Sequence, residues 1–305
     1  MKSFGKITSA FLLGLLLQGG IYYYLDQVYL APTADFQVTG NDNKEKDGNF
    51  PDVGTGNKYY SNGHHYMAVV TQNSVKIYAS GKSDPVTLDL KGREVSYFEW
   101  LPDRDLAIMG LYGGSSGNVV LARVNPENPD NEADTPIKDL PDGSKIVDAA
   151  FSVATNVVYM KVKVADNAYR IYRTDANYDT RRVYMQASNI GRIAVFYDED
   201  RFFYDNVKTG DVFMFNGTEG GWRVINPAGR YRLIGVDKDK NIYIAKVNTD
   251  DKVLSVSRGQ LGVGFKTIDT YDTPKDLQDV TVASVLKDEQ SGSNSSSSDS
   301  SSKKK

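Results

Sequence analysis

Cysteine is absent from this chain of 305 residues. That excludes disulfides, thiolate metal sites, a cysteine nucleophile and a lipidated N-terminal cysteine. Histidine is nearly absent, with only His64 and His65. Neighbours on a strand point to opposite faces, so this pair does not chelate one metal. Nor can a Ser-His-Asp set be argued around it. An excess of one charge is missing too: 36 basic against 39 acidic side chains give a formal net charge of −3. Composition therefore makes no case for nucleic acid as a partner. A phosphate loop is also lacking. Gly113-Gly-Ser-Ser-Gly117 has no Gly-Lys-Ser/Thr ending and no helix after it, so it reads as a hairpin turn.

Long apolar runs are missing with one exception, Ile7–Leu25, which carries no charge. About twenty such residues, each rising 1.5 Å, cross a bilayer core of about 30 Å. Lys2 and Lys6 precede the run, Asp26 and Asp35 follow it, and Tyr22, Tyr23 and Tyr24 stand where an interfacial aromatic belt belongs. The expectation is a single N-terminal transmembrane helix over 1–25. The N-terminus is then cytoplasmic and the remainder extracytoplasmic, at a cell membrane. A cleaved signal peptide is the competing reading, but no clean small-residue cleavage site follows. Residues 26–57, with Ala31-Pro32, Asn41–Gly48 and Phe50-Pro51, read as a polar stalk. From 288 the chain turns Ser-rich and ends Lys303-Lys-Lys305, a tail expected to be disordered.

Between stalk and tail, 58–287 is a domain of strands. Tyr is abundant, at 20, beside 12 Phe, which favours strands over helices. Tyr231–Val247 shows the unit: an apolar run, the polar turn Asp237-Lys-Asp-Lys-Asn241, then Ile242-Tyr-Ile-Ala245. Similar hairpins begin near Tyr59, Tyr97, Ala149 and Ile193, at intervals of roughly forty to fifty residues. A third strand follows each, at Val75, Val119, Tyr169, Val212 and Val253, and then a more polar fourth. Four short strands per unit with a polar outer one is how a propeller blade limits its exposed edges. The pattern resembles the generic bacterial WD40-like or TolB-like propeller repeat over roughly 57–286, without the Gly-His and Trp-Asp signatures of true WD40 blades. The resemblance implies a fold and no activity.

The expected architecture is therefore all-β, a five-bladed β-propeller preceded by a single transmembrane helix. A β-sandwich suits the strands but not their recurrence in fours. Asp279–Leu286 alternates as a strand and is expected to complete the blade started at Tyr66, although Tyr59–Ser61 competes for the same slot.

Candidate chemistry is sparse. Glu99, Asp148 and Asp279 fall near inner-strand positions, where a propeller hydrolase would hold its two carboxylates. Arg192 and Arg232 occupy comparable places in later blades, which suits a salt-bridge ring or a polar ligand equally. Asp237-x-Asp-x-Asn241 opens like a calcium loop but has Ile242 where the glycine belongs and Asn248 in place of the bidentate Glu, so it reads as a turn. Tyr159, Tyr169, Tyr172, Tyr184, Tyr197 and Tyr204 either line a sugar-binding face or pack between blades. No metal or other cofactor is expected. The leading function is a membrane-anchored, extracytoplasmic interaction scaffold of a bacterial envelope complex, with a membrane or envelope protein as partner. A carbohydrate-binding protein that takes a surface polysaccharide and a five-bladed glycoside hydrolase are the alternatives.

Overall fold

The computed structural model describes Gln18 and residues 48–114, 118–129 and 133–295. Among the described residues, twenty strands form five four-stranded antiparallel sheets, each built from strands consecutive in the chain. Blade one holds β1 (Asn57–Tyr60), β2 (Tyr66–Thr71), β3 (Ser74–Ala79) and β4 (Val86–Thr87). Blade two holds β5 (Glu94–Trp100), β6 (Ala107–Tyr112), β7 (Val119–Val124) and β8 (Ala133–Ile137). Blade three holds β9 (Lys145–Ser152), β10 (Val157–Ala165), β11 (Ala168–Thr174) and β12 (Thr180–Val183). Blade four holds β13 (Ile190–Val195), β14 (Arg201–Asn206), β15 (Val212–Asn216) and β16 (Trp222–Val224). Blade five holds β17 (Tyr231–Val236), β18 (Ile242–Val247), β19 (Val253–Gln260) and β20 (Gly264–Lys275). First strands of adjacent blades lie against one another, β9 between β5 and β13, and β13 against β17. Five such sheets side by side fit the five-bladed propeller that the repeats announce.

Packing between blades explains the residue pattern. Side chains alternate across a strand, so a blade's middle strands send alternate residues to its two neighbours. In β6, Ala107, Met109 and Leu111 join Ala68, Val70 and Ile77 of blade one, while Ile108 joins Met160 and Val162 of blade three. With both faces covered, middle strands become continuous apolar runs such as Phe202-Phe-Tyr204 and Ile242-Tyr-Ile-Ala245, all buried. Two further apolar clusters join blade three to four and four to five.

The two end blades are finished differently. Met67, Val69 and Tyr78 of blade one are covered by Phe50 and Val53, which the sequence reading placed in the stalk. The outward face of blade five, with Tyr243, Ala245 and Val256, is covered by Val280, Val282 and Val285. These valines are not on a strand. Asp279–Leu286 was expected to be one and to close the ring; instead a 3-10 turn at Leu277–Asp279 leads into helix α1 (Val282–Ser295). The slot beside β2 is held by β1, with Tyr59 opposite Ala68.

Part of the reason for α1 is local. Thr281 and Ser284 exchange hydrogen bonds between side-chain oxygen and backbone N–H at 3.1 and 2.9 Å, a reciprocal cap of the helix start. Val282, Val285 and Leu286 then share one helical face. α1 stands against blade five where a following blade would stand.

The expected transmembrane helix requires a correction. Among the described residues no helix is long and apolar enough to cross a membrane. The run 7–25 on which that expectation rested lies, apart from Gln18, outside the described residues. Of the expected stalk, 26–47 lie outside them as well, as do 296–305 of the expected tail, whose first residues, 288–295, belong to α1 instead.

Candidate functional site

The first strands, which lie side by side, carry a set of polar groups. Tyr97 and Glu99, two apart on β5, share a face, and the Tyr97 hydroxyl donates to the Glu99 carboxylate. Burial raises the Tyr97 phenol well above its ordinary range, and the charges of Glu99 and Asp148 add to this. Glu99 and Asp148 thus meet around one tyrosine, in neighbouring blades. Burial also pushes the Asp148 carboxyl up to about 6, against the pull of Lys161, the Ala149 N–H and Arg192. Lys161 stands directly opposite Asp148 in the β9–β10 register and donates to the Gly191 carbonyl at 2.5 Å. Its own ammonium is lowered by burial.

Arginines complete this set. Asp205 on β14 is fully buried; it accepts from Arg232 Nε and, at 2.8 Å, from the Arg192 backbone N–H. Arg232 also reaches Asp251 at 3.2 Å. Glycine is required at 191, because a Cβ there would stand 2.1 Å from Asp205 Oδ2 and 2.6 Å from Arg232 Nη2. The Arg192 guanidinium donates to the Val280 and Leu277 carbonyls at 2.7 and 2.6 Å, tying the chain before α1 to blade four. Burial lowers its pKa.

Asp279 does not join Glu99 and Asp148. It was expected near an inner-strand position, but it is exposed on the turn before α1. Lys161 and Asp205 were missed by the sequence reading. Both lie on second strands, and only the contacts between strands bring them to these groups. Asp237 confirms the turn at 237–241: its carboxylate accepts the Asp239 and Asn241 N–H groups and the Tyr243 hydroxyl, each at 2.9 Å. Among the described residues no group of three or more His, Asp or Glu side chains is placed to hold a metal ion.

A second polar knot joins blades three and four. Asp200 accepts from the Tyr159 hydroxyl at 2.5 Å and from Arg173 at 3.0 and 2.7 Å. Burial, followed by this bond to Asp200, raises the Tyr159 pKa.

Of the tyrosines singled out in the sequence, Tyr159, Tyr172 and Tyr204 are buried between blades. Tyr169 and Tyr184 instead line an open groove of about 290 Å³ on blade three, with Arg170, Arg182, Val183, Met185, Gln186, Ala187 and Ser188. The groove lies between the start of β11 and the link from β12 to β13. Two backbone bonds fix that link: Tyr169 N–H to the Ser188 carbonyl at 2.9 Å, and Gln186 N–H to the buried Tyr204 hydroxyl at 3.1 Å. Met185 and Ala187 rest on the core between blades three and four and form the floor. Tyr184 is 72% exposed, with the Arg182 guanidinium 4.8 Å over its ring. The Lys161 ammonium lies 4.5 Å over the Tyr169 ring.

No family model matches this chain, and no curated protein matches it. Solved structures do. A luciferin-regenerating enzyme is similar at 10% identity and TM-score 0.46, over 71% of this chain and 75% of that one. A putative TolB from Agrobacterium tumefaciens is similar at 13% identity and TM-score 0.47, over 69% of this chain and 78% of that one. A nidogen–laminin complex is similar at 14% identity and TM-score 0.38, over 51% of this chain and 60% of that one.

Proposed function

We infer that this propeller is a protein-interaction module and that its binding face is the blade-three groove. One observation carries the reading: a large ring, Tyr184, stands 72% exposed at the edge of a groove whose floor is apolar and whose backbone is pinned to the core. Exposed aromatic rings beside an arginine are the residue types that dominate binding energy at protein interfaces. The pinned link reduces the ordering that a partner must impose on association.

Site-directed photo-crosslinking tests this. A photoreactive phenylalanine replaces Tyr184 in one variant and Val263 in another. Val263 is 82% exposed on the blade-five rim. The full chain is irradiated in its own cells. A discrete protein adduct from position 184 and none from 263 is expected. Equal labelling at both positions, or none at 184, overturns the reading. A surface polysaccharide is the second reading, because Tyr169 and Tyr184 line the same groove and rings stack on pyranose faces. It requires the purified chain to bind an envelope glycan and to lose that binding in Tyr184→Ser.

A further inference from the structure

We propose that the partner segment taken by the blade-three groove is acidic and carries one apolar side chain. This rests on the groove being the binding face.

Charge is the first argument. The nine lining residues include Arg170 and Arg182 and no carboxylate, on a chain whose formal net charge is −3. The basic character is local. Arg181 lies beside Arg182 on the outer strand β12, both exposed. Arg123 lies 4.3 Å over the ring of Tyr178, which is 50% exposed on the turn before β12. The acids near these residues include Asp139, Asp175 and Asp179, and none of the three lines the groove; Asp139 is exposed and holds Arg170 through its backbone carbonyl. Asp175 accepts the Asn177 and Asp179 N–H groups and lies 3.8 Å from Arg173. Asp179 is exposed on the β11–β12 turn, outside the groove lining.

The state of the two arginines is the second argument. Arg170 makes one bond, from Nη1 to the Asp139 carbonyl at 3.2 Å, which leaves most of its five donors available. The Arg182 guanidinium lies 4.8 Å from the centroid of the Tyr184 ring, and Arg182 is exposed. A planar guanidinium with open donors fits a carboxylate in two parallel bonds.

The floor is the third argument. Val183 is buried, and Met185 and Ala187 are half-buried. Methionine adapts to varied apolar shapes. A groove of about 290 Å³ takes one side chain and the flanking backbone. It is too short for the extended run of phosphate contacts on which nucleic-acid affinity depends.

The test is fluorescence anisotropy on the full chain. The probe is a fluorescein-labelled nonapeptide with four glutamates on each side of one leucine. Controls replace all glutamates by glutamine, or the leucine by glycine. The glutamate–leucine peptide is expected to bind, and both controls to bind more weakly. Arg182→Ser and Arg170→Ser should each weaken it by about 1.5- to fivefold, the range of an exposed charge pair. Lys266→Ser on exposed β20 should leave it unchanged. Affinity should fall between about 50 mM and about 500 mM salt as screening shortens the reach of the charges. Both arginine variants are required to match the parent urea midpoint, which separates lost recognition from lost folding.

Equal binding of the glutamine peptide overturns the proposal. So does indifference to both arginines, or displacement by an oligothymidylate or a heparin fragment at lower concentration than by the unlabelled peptide. A crosslinked protein adduct at Tyr184 without any peptide binding refutes acidic recognition and leaves the interaction module standing. Failure of both refutes both.

Discussion

Replacing Asp205 by alanine should unfold this protein more readily than any change to its exposed ion pairs. The side chains of Asp205 and Arg232 are 0% and 9% exposed, so both were taken out of water on folding. Asp205 accepts Arg232 Nε–H with one oxygen and the Arg192 N–H with the other. Its removal leaves a buried guanidinium with Asp251 at 3.2 Å as its other carboxylate, and that side chain is 36% exposed. It also leaves the Arg192 N–H without its acceptor. Breaking a buried pair from one side costs about 3–5 kcal/mol, because the remaining charge stays buried without compensation. Asp251→Ala should cost at most about 1 kcal/mol, the range of exposed pairs. The double variant Asp205→Ala/Arg232→Met should be more stable than the sum of its single effects, by roughly 1–3 kcal/mol of coupling. Urea unfolding followed by Trp100 and Trp222 fluorescence measures the midpoints of the parent, Asp205→Ala, Arg232→Met, Asp251→Ala and the double variant. A loss below about 1 kcal/mol for Asp205→Ala, or strict additivity in the cycle, refutes the claim that this pair holds blades four and five together.

Asp148→Asn should stabilise the protein, and more so at high pH. The Asp148 carboxyl titrates at about 6 in the folded chain against an ordinary 3.8, so the folded state keeps a proton that the unfolded state releases. Stability therefore falls as pH rises from about 4 to about 6 and stays reduced above, by up to about 3 kcal/mol. The asparagine variant should gain a similar amount at pH 8 and little at pH 4; no gain in urea midpoint at pH 8 contradicts this. Arg192→Met removes both donors to the Leu277 and Val280 carbonyls. Amide exchange should accelerate across 280–286 while β14 and β15 stay protected; unchanged exchange in that stretch contradicts the tie. Gly217→Ala would bring a Cβ to 2.1 Å from Asp200 Oδ1, displacing the acceptor of Tyr159 and Arg173. A loss of about 2–4 kcal/mol is expected from a disturbed buried charge, and a parent-like urea midpoint refutes it.

The blades were legible in the sequence because their physics is local. Middle strands covered on both faces must be apolar throughout, as in Phe202-Phe-Tyr204, and each tight turn between them needs residues such as Asn156 or Asp237. Counting from those turns also placed Glu99 and Asp148 on first strands, β5 and β9, where Glu99 accepts from Tyr97. Beyond this the signal ended. Val280, Val282, Val285 and Leu286 fit an alternating strand and a helical face almost equally well. The reciprocal Thr281–Ser284 cap and the uncovered face of blade five select the helix, and that face exists only once blade five has folded. Lys161 and Asp205 stand on β10 and β14, so the groups they meet depend on contacts between strands that no local pattern specifies. The tyrosines make the same point. Tyr159, Tyr172 and Tyr204 share the alternating context of Tyr169 and Tyr184, yet the first three are buried and the last two line a groove. Sequence determined the strands, their grouping in fours and the number of blades, because each follows from neighbours in the chain. Tertiary structure decided how the end blades are covered and which polar and aromatic groups meet, because those contacts join residues as much as 88 positions apart, as Arg192 and Val280 do.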